Sequence, residues 1–95
     1  MVSIPLKILQ ISSAQAFGGG ERHLADLTNS LAARGHEVRA VVRPNSPLLG
    51  ELKVLSENVT TLPLRNALDA RSASGLAKVV GVHKMDIVHA HMARD

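Results

Sequence analysis

The chain has 95 residues, 45% hydrophobic and 20% charged, with a formal net charge of +3 at pH 7, which suits one small folded domain and is too apolar for disorder. It holds one Phe and no Trp or Tyr, and its arginines, from Arg22 to Arg94, stand singly rather than in runs, so base stacking and a nucleic-acid stripe are both excluded. With no Cys there are no disulfides, thiolate metal sites or Cys nucleophiles, which fits a reducing, cytoplasmic compartment.

No stretch is long and apolar enough to span a membrane, and Met1 to Leu9 lacks the apolar core of a signal peptide. The mild positive charge is read first as solvated surface. It also leaves room for an anionic ligand or a peripheral contact with an anionic membrane.

In chain order, Lys7 to Ser12 is a short apolar run after Pro5, as expected of a buried parallel strand. Ser13 to Gly20 reads as a loop ending in three glycines. From Glu21 to Arg34, Leu24, Leu27 and Leu31 recur at helical spacing, and Gly35 is the expected stop. Glu37 to Arg43 reads as a second strand, closed by Pro44-Asn45. Ser46-Pro47 is an N-cap followed by Pro at the first helical position, opening a short helix to about Glu57 with Leu48, Leu49, Leu52 and Leu55 as its stripe.

Val59 to Leu64 is a third strand, which Pro63 assigns to an edge. A third helix, capped by Asp69 or Ser72, carries Leu76, Val79, Val80 and His83. Gly75 and Gly81 each cost it about 1 kcal/mol against Ala, so it is expected to be the least stable. Asp86 to His91 is the fourth strand.

Strands alternating with helices imply parallel pairing through right-handed crossovers. The expected fold is α/β, a partial Rossmann-like doubly wound parallel sheet with strand order 3-2-1-4 and about three helices. Ligands in such sheets bind at the carboxyl ends of the strands, where winding reverses. The glycine loop and His89/His91 both fall there.

Gly18, Gly19, Gly20 and Glu21 open the first helix. Free N–H groups and the dipole there attract anions, and glycine lets a phosphate or sugar come close. The plainer reading is a flexible connector, with Glu21 held by the dipole alone. A dinucleotide loop would need G-x-G-x-x-G tight against the strand, and a P-loop would need Gly-Lys-Ser/Thr; neither is present.

His89 and His91 share one face of their strand, without the further ligands a metal needs. A structural role suits His89, while His91 at the rim is the better ligand residue. His23, His36 and His83 read as surface or helix-flank residues, and Leu68, Met85 and Met92 as packing. The assigned ligand-binding set is Gly18, Gly19, Gly20, Glu21 and His91, with no catalytic residue, metal or cofactor.

Four segments in order, Lys7-Ile8-Leu9-Gln10-Ile11, Phe17-Gly18-Gly19-Gly20-Glu21-Arg22, Leu31-Ala32-Ala33-Arg34-Gly35-His36-Glu37-Val38 and Asp86-Ile87-Val88-His89-Ala90-His91, resemble the amino-terminal domain of family-four retaining glycosyltransferases of the GT-B fold. The resemblance implies metal-free transfer of a sugar from a nucleotide-sugar donor to an acceptor hydroxyl. It implies that this domain holds the acceptor, and that a second, carboxy-terminal domain holds the nucleotide. The segment from Gly18 to Glu21 would face the cleft between them, near the donor phosphates, with the His-x-His strand end at its border.

The family's domain continues for several more elements, including a later strand with its active-site His. Residues 1–95 are therefore expected to be the incomplete amino-terminal part of an acceptor domain, without the donor-binding domain and inactive alone. The strand around Ile87-Val88 would then be an exposed edge through which chains self-associate. The alternatives are a non-catalytic half-Rossmann module binding a phosphate or sugar ligand, and a purely structural unit.

Overall fold

Four parallel strands in the order β3-β2-β1-β4 form one sheet in the computed structural model, which describes residues 4–13, 19–54, 56–64 and 70–91. The elements are β1 (Lys7–Ser12), α1 (Gly19–Ala33), β2 (Glu37–Val42), 3-10 turns at Pro47–Gly50 and Ser56–Asn58, β3 (Val59–Thr61), α2 (Ala70–His83) and β4 (Ile87–His91). The expected strand order and parallel pairing are both present.

The sheet is buried unevenly, and that unevenness shapes the site. Successive side chains of a strand point to opposite faces, so β1 divides its residues between two layers. Leu9 and Ile11 join Val41 and Leu64 in one cluster, against which Leu76, Val79 and Val80 of α2 and the following Met85 pack. On the other face Val42 meets Leu24 and Ala25 of α1, with Leu48 from the first 3-10 turn. Because β1 lies between β2 and β4, Leu9 is fully buried, and such a side chain contributes roughly 1.5–3 kcal/mol. β4 is an edge, and its Ile87 and Val88 remain 44% and 49% exposed.

Helix ends follow from local chemistry. After α1, Gly35 takes φ +93°, and the His36 N–H reaches back to the Leu31 carbonyl at 3.2 Å, closing the last turn. α2 ends the same way with Lys84 in glycine's place, at φ +52°, and the Met85 N–H pointing at the Val80 carbonyl at 3.4 Å. His36 is more than a flank residue, since its Nδ1 accepts from the Leu6 N–H at 3.0 Å. Asp86 precedes β4 rather than opening it. Its carboxylate accepts from the Lys7 N–H at 2.9 Å, and its own N–H donates to the Lys7 carbonyl at 2.7 Å, tying the strand starts together.

Four expectations need correcting. Among the described residues there are two α-helices rather than three. Ser46 does cap, its Oγ accepting from the Leu48 N–H at 3.1 Å, but the element it opens stops at Gly50. The chain just beyond is tied to Asn29 of α1, whose amide donates to the Glu51 carbonyl at 2.9 Å and accepts from the Lys53 N–H at 2.7 Å. Those groups are therefore not available to continue a helix.

The second correction is at β3, which ends at Thr61. The Leu62 N–H still donates to the Val42 carbonyl at 3.0 Å, but Pro63 has no N–H to carry the ladder further. Third, Ser72 lies inside α2 instead of capping it, and its buried Oγ accepts from the Leu64 N–H at 2.7 Å. Leu64 is buried at φ +47°, and this bond helps hold it there. Asp69, Leu55, Leu68 and Met92 lie outside the described residues.

The fourth correction concerns Gly75. A Cβ on it would sit 2.7 Å and 2.9 Å from the two Cδ atoms of Leu62, so this glycine lets α2 approach the segment after β3. Gly81 has nothing within 4 Å. Among the described residues, no helix is long and apolar enough to cross a membrane.

Candidate functional site

The site forms where the amino end of α1 meets the carboxyl ends of β1 and β4. Gly19 and Gly20, expected in a loop, make the first turn of α1 instead. The first backbone N–H groups of a helix, here those of Gly19 and Gly20, have no carbonyl one turn earlier within the helix itself. They carry the positive end of the helix dipole, which favours an anion. Gly18 lies outside the described residues.

His91 comes to this turn across the sheet. β4 pairs with β1 so that His91 stands beside Ser12 and His89 beside Gln10. Alternation then sets both histidines on the face that α1 covers. A Cβ built on Gly20 would lie 2.6 Å from Nε2 and 3.1 Å from Cε1 of His91. The glycine is thus what admits the imidazole against the helix start.

Glu21 joins the same cluster. Its Oε2 lies 3.7 Å from His91 Nε2, a charge contact when the ring is protonated and too long for a hydrogen bond. The Glu21 side chain is 16% exposed and that of His91 36%, so the pair sits in a partly desolvated notch. Of the four expected ligand residues with described positions, three, Gly20, Glu21 and His91, therefore converge. Gly19 is exposed beside them and touches nothing that a Cβ would meet.

Other charges nearby are already engaged. Arg22 pairs with Glu51 at 3.3 Å and with Asp26 at 3.8 Å, bracing α1 against the segment after β2. These are exposed pairs worth at most about 1 kcal/mol each. Among the described residues, no three or more His, Cys, Asp or Glu gather as a metal-ligand set.

Sequence reasoning missed the polar base of this notch. Ser12 and Ser13 are buried at the carboxyl end of β1. Gln10, one step deeper, is 1% exposed and places its Oε1 2.7 Å from His89 Nδ1. Gln10 reads as a lone polar residue in an apolar run, and its partner lies 79 positions away.

A sequence model described as Glycosyltransferase Family 4 matches residues 17–95, from the residues before α1 through β4. No curated protein matches the chain. The match takes in all of α1, β2, β3, α2 and β4, and on it the chain belongs to Glycosyltransferase Family 4.

Proposed function

We propose that this chain supplies the acceptor-side half of a GT-B glycosyltransferase, which moves a sugar from a nucleotide-sugar donor to an acceptor hydroxyl. The observation that carries the reading is the packing of His91 against Gly20 at the start of α1, with Glu21 beside it. The helix N–H groups and the imidazole can donate to phosphate oxygens, and the Glu21 carboxylate can accept from a sugar hydroxyl.

On this reading the N–H groups and His91 stabilise charge on the donor phosphates as the glycosidic bond to the leaving group breaks. Residues 1–95 alone would bind without turnover, because the groups that hold the donor nucleotide come from a second domain. A cytoplasmic location goes with the reading, as a chain without cysteine suits a reducing compartment.

A second reading, a non-catalytic module for a phosphate or sugar ligand, rests on the same notch, since nothing in its geometry requires chemistry to follow binding. The mass of the natural gene product separates the two. A product much larger than 10.1 kDa that releases nucleoside diphosphate from a nucleotide-sugar supports the transferase. A product of about this size that binds pyrophosphate without turnover supports the module.

A further inference from the structure

Gln10 is an amide in the middle of the apolar strand β1, flanked by Leu9 and Ile11 and 1% exposed. A buried amide is costly unless its polar atoms are paired. Here only one end is. Oε1 lies 2.7 Å from His89 Nδ1, while Nε2 has no hydrogen-bond partner among the described residues.

An amide oxygen can only accept, so with Oε1 turned toward the ring the contact is made by a proton on Nδ1 of His89. The neutral ring then has its lone pair on Nε2, across the ring from Gln10, and His89 itself is exposed. A lone pair repels a phosphate oxygen and attracts a hydroxyl proton. This polarity differs from that of the helix start beside His91, two residues along the same face and roughly 7 Å further on.

We propose that Gln10 is a positioning residue that holds His89 in its Nδ1–H form, making Nε2 an acceptor for a hydroxyl of an uncharged, polyhydroxylated ligand. β4 thereby offers two binding positions of opposite character. His91 with α1 receives the anionic end of a ligand, and His89 receives a neutral sugar hydroxyl. The assignment rests on the reading of this sheet end as a sugar-ligand site, and it identifies which residues meet the neutral part.

The test uses the full 95-residue chain with 15N-labelled histidine. Long-range 15N–1H correlation should show His89 protonated at Nδ1. Gln10→Leu, which fills a similar volume and removes the unpaired amide, should leave the chain folded and return His89 to the mixture of forms of free imidazole. Titration with methyl α-glucoside should shift His89 saturably, with affinity about five-fold lower in Gln10→Leu, as expected for one hydrogen bond.

Pyrophosphate, followed at the Gly19 to Arg22 amides, should bind both chains alike. Failure of pyrophosphate alone counts against the phosphate reading of α1 and leaves His89 standing. An Nε2–H tautomer of His89 in the unaltered chain, equal glucoside affinity in Gln10→Leu, or no saturable response at His89 would each overturn the proposal.

Discussion

Replacing Gly20 with Ala separates the role of this residue in the fold from its role in the site. The added Cβ would meet His91 Nε2 at 2.6 Å, so the ring must withdraw by about 1 Å to reach ordinary contact. His91 ends an edge strand and its side chain is 36% exposed, so the ring can swing outward at a rotamer cost of about 0.5–1.5 kcal/mol. Against that stands the helix preference of Ala over Gly, up to about 1 kcal/mol. The two nearly cancel, and urea unfolding should show a stability within about 1 kcal/mol of the original.

Binding should not be spared in the same way. Displacing His91 removes a hydrogen bond to a charged ligand, worth about 1.5–3 kcal/mol, so pyrophosphate affinity should fall roughly 10- to 100-fold by calorimetry. Gly81→Ala is the control, because it lies on α2, away from this helix start, and nothing lies within 4 Å of its Cβ position. Equal affinities in the two variants would refute the reasoning, whatever their stabilities.

Three further outcomes follow from the packing. Gly75→Ala should destabilise, since overpacking against Leu62 costs about 1–3 kcal/mol and exceeds the helix gain, whereas Gly81→Ala should stabilise by up to about 1 kcal/mol; a shared sign in thermal melts would count against the close approach of α2. Asn29→Ala should cost about 1–3 kcal/mol in urea unfolding by releasing both bonds to residues 51–53, and an unchanged midpoint would show that this clip is idle. The exposed edge at Ile87 and Val88 is expected to pair chains, so sedimentation should show a dimer that Val88→Lys dissolves, and a monomer at high concentration would end that expectation.

Strand positions and their order were legible because they depend on local pattern. β1 begins and ends where its apolar run does, and the alternation of strands and helices was enough to order the sheet. Contacts between distant residues were not legible. Pro47–Gly50 carries a true cap and an apolar stripe, yet whether the helix continues depends on Asn29, which takes the backbone groups of Glu51 and Lys53.

The site divided along the same line. The glycines and His91 stood out by type and by their place at strand ends. Gly20 was legible as a residue that allows close approach, but the partner found against it is the His91 imidazole. Gln10 could not be singled out, because its importance lies in which residue of β4 the register sets beside it.

Whether α1 and His91 form one ligand site is tested most directly by a pyrophosphate titration of the 15N-labelled chain, followed residue by residue. Saturable shifts are expected to concentrate at the Gly19, Gly20, Glu21 and Arg22 amides and the His91 ring. Shifts absent there, or scattered over the exposed arginines without saturation, would contradict that site.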